Sequence, residues 1–218
     1  MEKITKPRIA EIEILTLLRD NYIQWGQAFS ELLSRGGKSS AFAWKGGIYE
    51  EMRHHLSLIT KEHCSFCDSY PVAHISKETI EHYYPKAEYP LRAFEWENLF
   101  YCCDKCQSEA NKWAFQETLK PDLPTYHFSD YFYFDLASGE LKVMENLEMD
   151  NPDSFAKANA FLMRYGISNN PKRNSARKSV YKDIQNHFAA KEITGDNRLR
   201  DDFMYRYVYD YFVAVNDI

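Results

Sequence analysis

The sequence predicts an α+β fold that is mostly helical and has a small cysteine-rich centre. Apolar residues recur at helical spacing in the first third of the chain and again after residue 152. Between these regions lie all five cysteines and a stretch with prolines, EHYYPKAEYP, which favours short strands and loops. The pattern divides the chain into a helical segment over 1–63, a cysteine-rich core over 64–118, and a hairpin with helices over 119–218.

The first segment is predicted to be helical throughout. Apolar residues at helical spacing over 8–35 predict two helices, which end at Gly36-Gly37. Gly46-Gly47 marks a turn, and a further helix is predicted over 49–59.

The last segment is predicted to contain one hairpin and three helices. The string YFYFDLASGELKV, over 131–143, indicates two strands around Ser138-Gly139. Asn-Pro and Thr-Gly-Asp signals separate three predicted helices, over 153–165, 174–191 and 197–215.

The last of these helices is rich in aromatic residues and apolar nearly all round. Phe203, Tyr207 and Tyr211 share one helical stripe, which favours core packing. Because the other sides are also apolar, this helix is either fully buried or contacts a partner chain. We favour a partner chain, because a chain terminus is a difficult place to bury every side of a helix.

The composition is that of an ordinary globular protein, 44% hydrophobic and 27% charged, which excludes disordered and collagen-like chains. The net charge is −5, and the strong basic excess is confined to 151–200. A protein that grips nucleic acid unaided usually carries a basic excess, so a polyanion would be held here with help. No run approaches the ~18 apolar residues of a membrane span, and the N-terminus lacks the pattern of a secretory signal. We therefore expect a cytoplasmic protein that contacts no membrane.

The basic excess is concentrated in one predicted helix. Arg173, Arg177 and Lys182 fall near one face of it, and Lys172 and Lys178 lie beside them. A solvated face and a phosphate-binding face explain this spacing equally well.

Four of the five cysteines form two CxxC pairs, at Cys64, Cys67, Cys103 and Cys106. Two such turns complete a tetrahedral four-thiolate zinc site, with disulfides or buried thiols as the alternatives. A reducing cytosol favours zinc. Since the four thiolates fill every coordination position, this zinc is structural and His63 is not needed as a ligand. Cys102 is predicted to be a small buried residue.

Residues with the chemistry of a hydrolytic metal site lie around the second CxxC pair. Glu81 and His82 place a carboxylate beside an imidazole. Gln107 and Asn111 share a face if a helix runs over 104–115. A carboxylate with side-chain carbonyl oxygens suits Mg²⁺, and a neutral histidine nearby can take a proton from water. These ingredients match metal-assisted hydrolysis of phosphodiesters.

The order of these motifs resembles the HNH endonuclease family. Over 64–113 the chain reads CxxC, Glu-His-x-x-Pro-Lys, Trp-x-Asn-Leu and CxxC followed by a polar helix. The string TIEHYYPKAEYP…EWENLFYCCDKC resembles in particular the PtuB-like HNH proteins of retron and Septu anti-phage defence. The resemblance implies a mostly helical α+β chain around a small ββα-metal core that the zinc holds together.

The resemblance also implies a role for each site residue. His82 would be the general base that activates water, and Glu81 a ligand of a catalytic Mg²⁺ or Mn²⁺ ion. Asn98 would pin the loop that orients His82, by hydrogen bonds to the backbone. Adjacent residues of a regular strand point to opposite faces, so Glu81 and His82 serve one site only if the strand is twisted or bulged there.

The sequence departs from the family at the last position of the motif. Many relatives have His or Asn directly after the second CxxC, where this chain has Gln107, with Asn111 one turn later. Either side chain could hold the catalytic metal through its carbonyl oxygen, and Asn111 is slightly favoured. Lys86 and Lys112 are the residues expected to contact substrate phosphate.

The function implied by the resemblance is metal-dependent hydrolysis of DNA or RNA that leaves 5′-phosphate and 3′-hydroxyl ends. The PtuB-like branch further implies a nuclease effector with a PtuA-type ATPase partner and, in retron systems, a reverse transcriptase with its hybrid RNA–DNA product. The alternative is a non-catalytic zinc-ribbon module that binds protein or nucleic acid. A thiol–disulfide oxidoreductase is disfavoured, because its CxxC motif opens a helix in an α/β pattern that this sequence lacks.

Overall fold

Helices make up most of the described chain and the strands form two small antiparallel sheets, which confirms the predicted α+β class. The structure, a computed structural model, describes residues 2–190 and 197–217. Its helices and strands are α1 (Thr16–Ser34), α2 (Ile48–Ile59), α3 (Val72–Ile75), β1 (Glu78–His82), β2 (Leu99–Cys103), α4 (Asp104–Ala110), α5 (Phe128–Tyr131), β3 (Phe132–Asp135), β4 (Glu140–Val143), α6 (Leu147–Asp150), α7 (Pro152–Arg164), α8 (Pro171–Ala189), α9 (Asn197–Arg200) and α10 (Arg206–Asn216).

Strands β1 and β2 form an antiparallel hairpin next to helix α4. The register pairs Glu78 with Cys103 at one end and His82 with Leu99 at the other. Helix α4 begins directly after β2, where the Cys103 side chain accepts a hydrogen bond from the Cys106 N–H. Both α4 and α2 pack against the two strands. This strand–strand–helix unit positions the cysteines and the candidate site.

The N-terminal region forms one long helix, α1, rather than the two helices predicted over 8–35. Two 3₁₀ turns, Ile9–Glu11 and Glu13–Leu15, precede it. Ile12 and Leu15 are buried and three residues apart, which matches the three residues per turn of a 3₁₀ helix. The helix predicted over 49–59 is present as α2.

The predicted C-terminal hairpin is present as β3 and β4, and the two predicted helices that follow it are α7 and α8. Lys191 and the Thr194-Gly195-Asp196 signal lie outside the described residues. The helix predicted over 197–215 is instead two helices, α9 and α10. Tyr205 separates α10 from the preceding residues, because it adopts a left-handed conformation with φ of 60°. From there its N–H donates to the Asp68 carbonyl.

Helix α10 is covered by other parts of the same chain, mainly α8 and β3. Tyr207 stacks on Phe128 with ring centroids 5.0 Å apart. The rings of Phe212 and Tyr181 contact each other edge to face, with centroids 5.5 Å apart. The chain's own core therefore buries Tyr207, Val208 and Phe212, whereas Tyr211, on the stripe for which the sequence favoured a partner chain, is half-buried.

Helix α8 buries two of the arginines in the basic segment. Arg177 is 0% exposed, and its guanidinium donates to the Tyr207 hydroxyl at 2.8 Å and to the Gly139 carbonyl at 3.2 Å. Arg173 is also buried and contacts the cysteines. For these two residues both predicted readings, a solvated face and a phosphate-binding face, are wrong. Spacing along a helix does not reveal whether a face meets solvent or the core.

One continuous hydrophobic core joins all three predicted segments. Leu18, Phe100 and Phe161, one from each segment, are buried in it. Phe66 of the cysteine-rich segment stacks on Tyr165 with ring centroids 3.9 Å apart. Within the described ranges, no helix is long and apolar enough to cross a membrane.

Candidate active site and metal centre

The four predicted cysteine ligands form one buried cluster, which we call the thiolate cluster. The Sγ atoms of Cys64, Cys67, Cys103 and Cys106 all lie within 4.8 Å of one another, and none of the five cysteines is in a disulfide. The Sγ atoms of Cys67 and Cys103 are 3.8 Å apart. That separation is about the edge of a tetrahedron with Zn–S bonds of about 2.3 Å. The donor set therefore fits one structural zinc ion.

Two turns bring these thiols together from distant parts of the sequence. Cys64 and Cys67 occupy a turn after α2, where the Asp68 N–H donates to the Cys64 carbonyl at 3.0 Å. Cys103 ends β2, and Cys106 lies in the first turn of α4. The Cys103 N–H approaches the Cys64 sulfur at 3.5 Å, and such donors favour the charged thiolate form.

Arg173 from α8 completes the surroundings of the thiolate cluster. Its Nη2 donates to the Cys106 sulfur at 3.3 Å and its Nη1 to the Tyr165 carbonyl at 3.0 Å. Burial acts to lower the pKa of Arg173, but the charge of Cys106 and the other thiolates raises it above its ordinary value. A buried cation beside four thiolates offsets the net negative charge of a four-cysteine zinc site.

Cys102 and His63 stay outside the thiolate cluster, as the sequence predicts. Cys102 is fully buried, and its thiol donates to the Cys103 carbonyl at 3.0 Å. The two ring nitrogens of His63 are held by backbone carbonyls, that of Lys61 at 2.7 Å and that of Phe203 at 3.2 Å. His63 therefore has a structural role.

The candidate active site is a cavity of about 570 Å³ at the end of β1, which we call the β1 cavity. Its lining includes five residues that the sequence predicts for the site: Glu81, His82, Lys86, Gln107 and Asn111. An adjoining cavity of about 700 Å³ shares His82, Lys86 and Gln107 with it. The fold therefore brings together residues from β1, from the loop after it and from α4.

His82 is held in a fixed orientation with one nitrogen free for chemistry. Its Nε2 contacts the Ala93 carbonyl oxygen at 2.9 Å. Burial, with the nearby charge of Lys86, lowers the pKa of His82 to about 3, so the imidazole is neutral. Since a carbonyl oxygen only accepts, Nε2 carries the hydrogen and Nδ1 keeps its lone pair. The unprotonated Nδ1 can accept a proton from water, although a pKa of about 3 makes this imidazole a weaker base than a solvated one.

Asn98 holds the loop that orients His82. Its Oδ1 accepts from the Tyr84 N–H at 2.7 Å, and its Nδ2 donates to the carbonyls of Tyr84 at 3.1 Å and Arg92 at 2.9 Å. These bonds close the loop between Tyr84 and Arg92, and Ala93 follows directly. Asn98 is 0% exposed and does not line the β1 cavity, so it acts on His82 only through the loop backbone.

Glu81 provides a buried carboxylate next to the Gln107 amide. Burial raises the pKa of Glu81 to about 7, while the charge of Arg164 and a hydrogen bond from Gln107 act to lower it. Gln107 Nε2 also donates to the Ile80 carbonyl at 3.0 Å. With the amide nitrogen held in this way, the carbonyl oxygen of Gln107 is the group left for a ligand. A carboxylate and an amide oxygen fit a hard divalent cation such as Mg²⁺.

Glu81 and His82 both line the β1 cavity although they are adjacent on a strand. His82 is the last residue of β1, and the chain bends at Tyr83 and Tyr84. The cavity lies around the strand end, so alternation between faces does not separate these two side chains.

The end of α4 differs from the helix predicted over 104–115. The helix stops at Ala110, and Asn111 is its C-cap residue, which still lines the β1 cavity. Lys112 does not line the cavity; its ammonium pairs with Glu109 at 2.6 Å on the surface. Lys86 does line the β1 cavity, and its Nζ lies 5.3 Å from the centroid of the Phe42 ring.

Among the cavity residues that the sequence does not predict for the site, three carry rings or charge next to His82 and Glu81. Phe42 and Trp44 cover His82: the Trp44 ring stacks on the imidazole at 5.6 Å, and Phe42 meets it edge-on at 5.5 Å. Arg164, at the end of α7, also lines the cavity. No sequence signal pointed to them, because all three lie outside the motif and come together only in the fold.

No family model matches this chain, and no curated protein matches it either. The geometry of the β1 cavity and of the thiolate cluster therefore carries the functional interpretation.

Proposed function

We propose that this chain is a metal-dependent HNH endonuclease that hydrolyses phosphodiester bonds of DNA or RNA. One observation carries the proposal: the β1 cavity brings together the neutral imidazole of His82, the carboxylate of Glu81 and the amides of Gln107 and Asn111. An imidazole that can accept a proton, next to oxygen ligands for a hard cation, supports metal-assisted hydrolysis of a phosphodiester.

Each cavity residue has a distinct part in the proposed reaction. Glu81, with Gln107 or Asn111, would hold Mg²⁺ or Mn²⁺, which supplies charge stabilisation at the scissile phosphate when bound. His82 Nδ1 accepts a proton from the attacking water while the oxygen of that water bonds to phosphorus. The bond from phosphorus to the 3′ oxygen breaks, and the 3′ oxygen takes a proton from solvent water, which leaves a 5′-phosphate and a 3′-hydroxyl.

Structural zinc in the thiolate cluster has a separate part in the proposal. Cys103 and Cys106 flank the junction of β2 and α4, and Gln107 follows Cys106 directly. A zinc ion at the four sulfurs would fix α4 against the hairpin and so set the position of Gln107 relative to β1.

A partner protein is proposed to hold the polyanion. Lys86 and Arg164 are the cationic side chains among the described residues of the β1 cavity, and Arg164 is buried. The two buried arginines of α8 further reduce the basic surface that the sequence suggested. A PtuA-type ATPase, and a reverse transcriptase with its RNA–DNA hybrid, are the proposed partners within an anti-phage defence complex.

Cleavage by the purified, zinc-loaded protein tests this function. DNAs and RNAs, single-stranded and duplex, are incubated in Mg²⁺ or Mn²⁺ with and without a PtuA-type ATPase. The His82→Ala variant runs beside wild type, and His74→Ala is the matched control, because His74 is exposed on α3. Cleavage that His82→Ala loses and His74→Ala keeps is the expected result.

Two outcomes would contradict the proposal. Equal cleavage by wild type and His82→Ala would move the general base elsewhere or indicate a contaminant. The absence of cleavage under every condition, with zinc bound and the fold intact, would favour the zinc-ribbon module.

A further inference from the structure

Arg164 is a buried cation with unused hydrogen-bond donors. Only 5% of the residue is exposed. Its Nη2 donates to the Tyr83 carbonyl at 3.1 Å, whereas its Nε and Nη1 have no hydrogen-bond partner. A buried, charged donor without an acceptor lowers the stability of the folded protein. A ligand that supplies acceptors at this point would remove that cost.

The residue that carries these unpaired donors lines the β1 cavity. Arg164 lines the cavity together with Glu81 and His82, and its charge acts on the Glu81 carboxyl. The guanidinium packs against two aromatic rings, with its central carbon 5.1 Å from the centroid of the Phe115 ring and 5.6 Å from that of the Tyr165 ring. This packing and the bond to Tyr83 hold the guanidinium in place, so its position does not depend on a carboxylate.

A phosphate group has the chemistry that these donors recognise. A guanidinium is planar and always charged, and its adjacent N–H groups match two oxygens of a phosphate. The cavity, at about 570 Å³, has room for a phosphodiester with its flanking sugars. Lys86, on the same lining, adds a second positive charge.

We propose that Arg164 binds the non-bridging oxygens of the phosphodiester on which Glu81 and His82 act, through its free Nε and Nη1. This inference rests on the proposed function, since it assigns the substrate phosphate a position in that same cavity. It makes α7, which lies outside the HNH-like motif, a part of the active site. Arg164 then stabilises the negative charge that grows on those oxygens as water attacks.

Phosphate binding tests the inference without any cleavage. Inorganic phosphate and a dinucleoside monophosphate are titrated into zinc-loaded protein without other divalent metals, at constant ionic strength. In wild type, the ¹⁵N signal of the Arg164 Nε–H, assigned by its absence in Arg164→Lys, is expected to shift on binding. Affinity should fall about tenfold or more in Arg164→Gln.

Arg200→Gln is the matched control for loss of a guanidinium. Arg200 bonds to Asp210 and Glu2 and does not line the β1 cavity, so phosphate affinity should stay at the wild-type level. The signal from wild-type Arg164 needs no variant, so the test stands even where Arg164→Gln fails to fold. A titration that leaves the Arg164 Nε–H signal in place would overturn the inference.

Chemical rescue separates phosphate contact from a structural role. In Arg164→Ala, guanidinium ions at millimolar concentration should restore part of the lost kcat, whereas urea, a neutral molecule of the same shape, should not. Equal effects of guanidinium and urea, or full activity of a folded Arg164→Ala, would count against phosphate contact.

The two proposals fail in different ways. Phosphate binding that depends on Arg164, without cleavage of any nucleic acid, would leave the phosphate site in place and remove the nuclease. Cleavage that depends on His82 but not on Arg164 would leave the nuclease and remove the phosphate contact.

Discussion

Asn98 positions the candidate general base without touching it. Three hydrogen bonds from its amide close the loop that ends at Arg92, and the next carbonyl, that of Ala93, accepts from His82. The orientation of the imidazole therefore depends on a buried amide one loop away.

Asn98→Ala is expected to lower both stability and activity. It removes the side-chain partner of the half-buried Tyr84 N–H and C=O, and each group costs about 1–3 kcal/mol if water does not reach it, whereas the Arg92 carbonyl still accepts from the Glu95 N–H. Urea denaturation measures the first effect, and kcat on any cleaved substrate measures the second. Asn21→Ala is the control, because Asn21 makes one exposed bond to the Leu17 carbonyl. A variant as stable as wild type would contradict this role for Asn98.

Arg173 is the residue through which α8 acts on the thiolate cluster. We expect Arg173→Gln to weaken zinc affinity by about 10–100-fold, because it removes the cation bonded to the Cys106 sulfur. Competition with a colorimetric zinc chelator measures the change. Lys182→Gln, an exposed change on the same helix, should bind zinc as wild type does. Equal zinc affinity in all three proteins would show that Arg173 only fills space.

At the scale of residues, the sequence could predict the groups that belong to one local motif. Glu81, His82 and Gln107 lie within the motif, and the fold places all three at one cavity. Arg164 and Arg173 could not be predicted, because a charged residue in a helix is ordinarily solvated and its burial depends on contacts distant in sequence. Lys112, expected from its position beside Asn111 to contact substrate phosphate, instead pairs with Glu109 and does not line the β1 cavity.

At the scale of elements, a short segment between two glycine pairs covers the candidate base. This flap, residues 38–45, includes the 3₁₀ turn Ser39–Ala41 and carries Phe42 and Trp44 onto the His82 ring. His82 is consequently 5% exposed. Phe42 and Trp44 of the flap therefore shield the imidazole from solvent.

Trp44→Ala should make His82 more reactive toward diethylpyrocarbonate, which modifies neutral imidazoles. Removing the stacked ring opens one side of His82, so its modification should be severalfold faster than in wild type. Peptide mass spectrometry follows His82, with exposed His74 as the internal reference. Trp113→Ala is the control, because Trp113 lines the same cavity but has no ring contact with His82. An unchanged rate at His82 would show that Trp44 does not shield it.

Helix α1 supports the His82 loop through a glycine. A Cβ at Gly26 would lie 2.5 Å from the Leu91 carbonyl oxygen, so the helix and the loop are in contact at the backbone. Gly26→Ala should therefore destabilise the protein by about 1–3 kcal/mol. Helix propensity alone predicts the opposite sign, a gain of about 1 kcal/mol.

Chemical denaturation shows whether Gly26→Ala lowers or raises the free energy of unfolding. Gln27→Ala, on the exposed side of the same helix, should change stability little. A Gly26→Ala variant more stable than wild type would mean that the loop can move away from α1 without loss.

Element boundaries were predictable where the local signal was strong. The hairpin around Ser138-Gly139 and helix α2 lie where the sequence places them. Helix α4 is shorter than its periodicity suggests, and the last helix is divided at Tyr205. At the last helix, the bond from the Tyr205 N–H to the Asp68 carbonyl joins residues distant in sequence, and periodicity does not contain such a contact.

At the scale of the whole molecule, the termini are tied to the cysteine-rich centre. Arg206 of α10 binds Asp68, next to Cys67, with Nη2 to Oδ1 at 2.5 Å, and it also binds Glu2 at 2.9 Å. The Ile4 N–H donates to the Pro121 carbonyl at 2.8 Å. The helical segments are therefore not appendages to a separate zinc module, because they share buried bonds and one core with it.

The central claim at this scale is that one ββα unit supports two metal sites with different tasks. The thiolate cluster, with four buried sulfurs, fits a closed structural zinc site. For the β1 cavity, which Glu81, Gln107 and Asn111 all line, the proposal is that the carboxylate and the amide oxygens hold an exchangeable hard cation. Zinc and Mg²⁺ or Mn²⁺ would then depend on separate residues.

Metal binding measured site by site tests this claim most directly. Zinc content and Mn²⁺ binding, the latter by electron paramagnetic resonance, are measured for zinc-loaded wild type, Glu81→Gln, Cys106→Ser and the exposed control Glu97→Gln. We predict one zinc and one exchangeable Mn²⁺ in wild type and Glu97→Gln, loss of Mn²⁺ alone in Glu81→Gln, and loss of zinc in Cys106→Ser. Wild-type protein that holds zinc but binds no Mn²⁺, or Glu81→Gln that binds Mn²⁺ as tightly as wild type, would contradict the account.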